Sequence, residues 1–298
     1  MDIEIINTDS EQAQADEKAT AQAGTYTDDW GSVCQVTEPG VIGEVRIPIL
    51  EDWSDLATFS PPWDVLRGRD LSHVKCARET SDKFLLSDIS ARPFERLQFL
   101  RGTENLFIDL GYGKSELYQL LEMVHVFYLE DIRGWCESDV DGIFMMDDWG
   151  SYQYLLINPT VWREIFKPRY QSVFEAVHSA GWHVWLHSDG HINAIIEDLL
   201  ELDVDVLNLQ QPLVNGIDEI GKRFAGRVCF ESTCDIQKTL PFGSPDEIRK
   251  ESRQLLDKWA TSKGGFILSV YENTDDLQLP KENVALMVEI FLKHDPWL

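Results

Sequence analysis

The fold is decided by residues 143–190, a stretch that opens IFMMDDWG (143–150) and closes WHVWLHSDG (182–190). Each end is a short apolar run, rich in branched and aromatic residues, that stops at a polar cluster closed by glycine. The clusters are Asp147-Asp148-Trp149-Gly150 and His187-Ser188-Asp189-Gly190. Near-continuous apolar runs of this length read as parallel strands buried on both faces, and the segment between them is long enough for a crossover helix. Parallel sheets and barrels bind ligands beyond the carboxyl ends of their strands, so both clusters are expected at one mouth.

The same alternation continues on either side. KFLLSDI (83–89) precedes it, and DVLNLQQ (205–211), RVCFEST (227–233) and GFILSVYEN (265–273) follow, giving six firm strands. Between them the apolar spacing is helical. Phe94, Leu97, Leu100, Leu106 and Leu110 form a stripe broken at Gly102, and Leu117, Leu120, Leu121, Val124 and Phe127 form a second within residues 115–134. Residues 159–179, 192–202, 216–224 and 244–263 are further helices, and a last one begins near Pro280. Residues 26–50 alternate around Glu38-Pro39-Gly40, as a β-hairpin does. The expected fold is α/β, a (β/α)8 TIM-type barrel with an N-terminal β-hairpin extension. The N-terminal part must supply the missing strands. An open doubly wound sheet fits less well, because no Gly-rich phosphate loop is present. Residues 1–23 read as a mobile acidic leader and residues 24–298 as one barrel domain.

The 298 residues carry 52 Asp and Glu against 26 Lys and Arg, a formal charge of −26, which argues against a nucleic acid or an anionic membrane as partner. Five scattered cysteines without a CxxC pair fit a reducing compartment. No apolar run reaches the ~20 residues of a membrane span, and no basic-then-apolar signal opens the chain, so a cytoplasmic location is expected.

Among the polar strand ends, His187 and Asp189 stand two apart and therefore point to one side of their strand. Such a pair can hold a metal or exchange a proton, or it can be a buried histidine tied to its aspartate in a structural hydrogen bond. Adjacent Asp147 and Asp148 point to opposite faces, so one should meet the pocket while the other bonds to loop backbone. Trp149 and Gln153 belong to the same rim, and Gln210 ends the next strand where it can orient a polar substrate. Glu231 ends the RVCFE run, and Glu272 is the candidate third ligand beside His187 and Asp189.

The run DDWGSYQYLLINPTVWREIFKPRYQSVFEAVHSAGWHVWLHSDG (147–190), followed by VDVLNLQQP, FESTCDIQKTLPFGSPDEI, GGFIL and PKENV, resembles the uroporphyrinogen decarboxylase superfamily. The likeness extends from Lys83 to the C-terminus. That superfamily joins decarboxylases to zinc-dependent methyltransferases that work with corrinoid proteins, and the resemblance implies a TIM-type barrel. Leu86-Ser87-Asp88-Ile89 is similar to the FSDI strand of the decarboxylases, which makes Asp88 the match for their essential aspartate. Their RQAGR-like motif is absent, and RPFERLQFLRGTEN (92–105) is more like the methyltransferase branch. Thiol-directed members of that branch bind zinc through His-x-Cys and a later Cys. Here the corresponding positions read His187-Ser188-Asp189 and Glu272, so carboxylates replace both thiolates. The resemblance then implies a harder metal site that polarises an oxygen. The metal is expected to be zinc, held by His187, Asp189 and Glu272, with methyl passing between a small molecule such as a methyl ether and the cobalamin of a corrinoid partner. Asp148 or Glu231 supplies a proton or a fourth contact, and Asp147, Trp149, Gln153 and Gln210 surround the substrate. A decarboxylase of another small carboxylate, acting through Asp88 or Asp148, is the alternative. A barrel that has lost its chemistry is the third reading.

Overall fold

A computed structural model of the protein describes residues 2–6, 23–37, 44–270 and 279–293, without the side chains of 88–90. The chain divides into two compact units, residues Met1–Asp147 with Glu164–His183, and Asp148–Arg163 with Val184–Leu298.

The first unit carries three parallel strands, β1 (Ile3–Ile6), β5 (Phe84–Ala91) and β6 (Gly142–Met146), with β5 hydrogen-bonded to both of the others. Strand β1 lies inside the stretch expected to be a mobile leader. Four residues are too short for periodicity to show, and Ile3 to Ile6 form a strand here because β5 offers a free edge for parallel pairing. A separate antiparallel sheet joins β2 (Gly24–Thr27), β3 (Val33–Val36) and β4 (Glu44–Ile47) in that order. The expected hairpin is thus a three-stranded meander, and its Glu38-Pro39-Gly40 turn lies outside the described residues.

Helices α1 (Trp63–Arg67), α2 (Ser72–Thr80), α3 (Pro93–Arg101), α4 (Thr103–Tyr112) and α5 (Ser115–Cys136) follow. The two apolar stripes of the sequence are the buried faces of α3 to α5: Phe94, Leu97, Leu100, Leu106, Leu117, Leu120 and Val124 are all at most 1% exposed. Gly102, with φ of 80°, separates α3 from α4. Arg101 is buried against Asp109 (2.7 Å) and donates to the carbonyl of Leu50, so its charge is both paired and hydrogen-bonded.

The helical stretch expected over 159–179 is broken into α6 (Pro159–Ile165) and α7 (Lys167–Ser179), because Pro168 has no N–H to continue the ladder. In the second unit, β7 (His183–His187), β8 (Val206–Asn208), β9 (Cys229–Ser232) and β10 (Phe266–Leu268) are parallel and paired in sequence order. They alternate with α8 (Ile196–Glu201), α9 (Pro212–Asn215), α10 (Ile217–Phe224), α11 (Thr239–Phe242) and α12 (Pro245–Trp259), and α13 (Lys281–Lys293) closes the unit. Ser244 and Glu247 make a capping box at the start of α12. Gly221 lets α10 and α12 touch at backbone distance, since a Cβ there would meet the carbonyl oxygen of Lys258 at 2.5 Å.

All six expected strands are present, β1 adds a seventh, and their alternation with helices is that of a TIM-type α/β barrel fold with an antiparallel N-terminal extension. No helix among the described residues is long and apolar enough to cross a membrane.

Asp147 is the main polar anchor of the first unit. Fully buried just after β6, it accepts the backbone N–H groups of Phe94 (2.9 Å) and Glu95 (3.0 Å) at the start of α3, and the Tyr170 hydroxyl of α7 (2.6 Å). Burial pushes its carboxyl up to about 8, against the pull of the tyrosine and the two amides. Its folded value lies above the unfolded one, so its contribution to stability is complete below about pH 4 and is lost as pH rises through about 8. Asp147→Asn turns an amide NH2 towards these donors and is expected to cost about 1–3 kcal/mol near pH 6, with a smaller deficit near pH 9. Thermal melts of wild type and variant across that range check this. A deficit that grows with pH contradicts it.

Candidate metal centre

The site is built from neighbouring strand ends in the second unit. His187 is the last residue of β7, Asp189 follows by two, and Asp148 opens the unit. In register, His187 pairs with Asn208 on β8, and Asn208 pairs with Glu231 on β9. Register partners in adjacent strands project to the same face, so three polar side chains form one rung.

The loops after the strands are locked together by two glycines. A Cβ on Gly190, whose φ is 77°, would fall 2.2 Å from the carbonyl oxygen of Gly150. A Cβ on Gly150 would fall 2.3 Å from the amide of His191. The Gly150 amide donates to Asp189 (3.2 Å), the Ser188 hydroxyl accepts from the Trp149 amide (3.1 Å), and the Asp189 amide donates to Asp148 Oδ1 (2.8 Å). These contacts bring the two polar clusters of the sequence side by side.

Asp148, His187 and Asp189 converge, each offering one ligand atom within 4.8 Å of the others. His187 Nε2 stands 3.6 Å from Asp148 Oδ1 and 3.9 Å from Asp189 Oδ1. Two ligands bound tetrahedrally at ~2.1 Å lie ~3.4 Å apart, so the cluster needs only a small contraction to close on an ion. Asp189 Oδ1 is buried and accepts no hydrogen bond among the described residues. Burial pushes the Asp189 carboxyl up to about 6; His187 and Gln211 pull it down, and the charges of Asp148 and Asp235 push it further up. An orphaned carboxylate oxygen beside an imidazole nitrogen and a second carboxylate is a donor set that fits a divalent cation. The thiols of this unit fit less well. Burial raises Cys229 to about 11 and Cys234 to about 12, and the latter is fully buried 3.2 Å from the Ser252 hydroxyl.

Behind the ligands, His187 Nδ1 meets Asn208 Oδ1 at 2.8 Å, while Asn208 Nδ2 and Trp185 Nε1 both donate to Glu231 Oε2. Glu231, expected to supply a proton or a fourth contact, is therefore engaged on the side away from the Nε2 of His187.

The remaining expected site residues fall in different places. Of the adjacent pair, Asp148 joins the cluster and Asp147 bonds to backbone, although both follow the end of β6 at Met146. Asp147 and Trp149 are both fully buried, Trp149 edge-on to Trp162 with ring centroids 6.1 Å apart, so neither offers surface to a substrate. Gln153 is exposed in the loop after Gly150. Gln210 is half-buried, with Nε2 3.5 Å from the Ser269 hydroxyl. Glu272 and the side chain of Asp88 lie outside the described residues. Sequence reasoning missed Asn208, which stands in an apolar run where its only signal is being an amide among Val, Leu and Leu.

Gly190→Ala is expected to destabilise the unit by about 2–4 kcal/mol, because strain at positive φ adds to backbone overlap with Gly150. Chemical denaturation measures this, and a loss below about 0.5 kcal/mol contradicts the close approach.

No curated protein matches the sequence. A methyltransferase from Methanosarcina mazei superposes with a TM-score of 0.64 at 16% identity, over 94% of this chain and 77% of that one, which is a likeness of fold. A glycosylated endo-β-1,4-xylanase of glycoside hydrolase family 10 from Gloeophyllum trabeum reaches a TM-score of 0.41 at 11% identity, covering 74% of this chain and 79% of that one. The sequence model of uroporphyrinogen decarboxylase (URO-D) matches residues 38–294, nearly the whole chain, and the protein belongs to that family.

Proposed function

We propose that the protein is a metal-assisted methyltransferase that moves a methyl group between a small molecule, such as a methyl ether, and a corrinoid carried by a partner protein. The observation that carries this reading is the convergence of Asp148, His187 and Asp189. A family member that worked through electrostatics alone would have no need to bury a carboxylate oxygen unpaired beside an imidazole. The Methanosarcina methyltransferase of similar fold adds support.

His187 Nε2, Asp148 and Asp189 would hold the ion, with zinc the expected metal. When bound, it supplies Lewis-acid stabilisation to the oxygen from which methyl departs. The two carboxylates give a harder donor set than thiolates, which suits an oxygen rather than a sulfur substrate. Asp148, whose side chain is 40% exposed, is the most open of the three, against 26% for Asp189 and 9% for His187. Substrate therefore approaches from the Asp148 side. Gln210 is proposed to orient it, and Gln153 to be a rim contact. Glu272 is proposed as a further ligand.

Protein purified without chelator should contain about one divalent ion per chain, lost in His187→Ala and reduced in Asp189→Asn. Elemental analysis with a melt of the metal-free protein reads this directly, and wild type without metal under any loading condition contradicts the ligand set. Transfer from an aryl methyl ether to cob(I)alamin, followed by its absorbance change, should require the metal and fall at least about 100-fold in His187→Ala. Carbon dioxide release from small carboxylates without any methyl transfer would turn the assignment to a decarboxylase.

A further inference from the structure

We infer that Asn208 and Glu231 are positioning residues that fix His187 in the tautomer with its proton on Nδ1, leaving the Nε2 lone pair facing Asp148 and Asp189. The inference rests on the proposed metal site for its purpose but not for its geometry.

An indole N–H can only donate, and Trp185 Nε1 points at Glu231 Oε2 from 2.6 Å, so that oxygen is an acceptor. Asn208 offers two atoms of nearly equal shape, one a donor and one an acceptor. The atom facing the same Glu231 oxygen must be its NH2. Its carbonyl oxygen then faces His187 Nδ1 at 2.8 Å, and a carbonyl can only accept, so Nδ1 carries the proton. Neutral imidazole has a single N–H, which leaves Nε2 as a lone pair 3.6 Å and 3.9 Å from two carboxylate oxygens. In the opposite tautomer His187 would donate to these carboxylates and close the site to a cation, and Nδ1 would meet Asn208 lone pair to lone pair.

The backbone makes this arrangement specific. His187, Asn208 and Glu231 are register partners on three adjacent parallel strands, and Trp185 stands two residues before His187 on the same face. Trp185 is 1% exposed and Asn208 3%, and the bond between His187 and Asn208 is buried, so water does not compete for it. Ligating histidines commonly give their second ring N–H to such a partner, and its loss typically costs 10–100-fold in metal affinity. Here an amide stands between imidazole and carboxylate, so the proton is fixed without placing a third negative charge against the ring.

The test uses the full chain labelled with 15N-histidine, with the His187 ring signals assigned by their absence in His187→Gln. In the metal-free wild type near pH 8, His187 should appear as the Nδ1–H tautomer. Asn208→Leu should shift the ring towards Nε2–H and weaken zinc binding about 10–100-fold in competition with a chromophoric chelator. Glu231→Leu should do the same to a lesser degree. Glu231→Gln, which keeps a carbonyl acceptor for Trp185 and Asn208, should stay within about threefold of wild type. A wild-type ring in the Nε2–H form overturns the inference. So does an Asn208→Leu protein that melts lower yet keeps both tautomer and zinc affinity. Failure of wild type to bind zinc would overturn the proposed function, while the tautomer of the metal-free ring would still decide this point.

Discussion

The hydrogen bond from His187 Nδ1 to Asn208 Oδ1 is the contact on which the rest of the site depends. It can form only because β7 and β8 pair in a register that sets these two residues opposite one another, and it is directional only because Glu231 and Trp185 hold the amide one way round. A parallel sheet supplies this at little cost. Side chains on one rung share a face, and the strand interior around them is apolar, so a short polar ladder there is shielded from solvent. The same burial that strengthens these bonds leaves Asp189 with an oxygen it cannot satisfy alone.

Close backbone packing sets the second constraint. Gly150 and Gly190 bring the loops after two strands into contact at distances no side chain allows, and the amide of Asp189 reaches Asp148 as a result. Asp148 is placed in the cluster by backbone geometry, and its neighbour Asp147 ties α3 and α7 to the end of β6. Of two identical residues in succession, Asp148 joins the cluster with His187 and Asp189, and Asp147 bonds to backbone at the start of α3.

Much of the fold was legible in the sequence. The apolar runs ending at polar residues gave six parallel strands, the stripes at helical spacing gave the buried faces of α3, α4 and α5, and Gly102 marked the break between two helices. What escaped was short or non-local. Ile3 to Ile6 carry no periodicity long enough to detect and become a strand only through β5. Of the candidate cluster, His187 and Asp189 were legible by their i, i+2 spacing and Asp148 as one of two adjacent aspartates, while Glu272, expected as the third ligand, lies outside the described residues. Asn208 could not be found, because its significance lies in cross-strand register, which one sequence does not contain. Trp149 looked like a rim residue for its place beside two aspartates, yet its ring packs inward on Trp162.

X-ray absorption at the zinc edge of the loaded protein tests the central claim most directly. Imidazole scattering with oxygen or nitrogen neighbours at ~2.0–2.1 Å and no sulfur shell is the predicted result, as His187, Asp148 and Asp189 require. A sulfur shell at ~2.3 Å, or an ion without imidazole, would contradict the account.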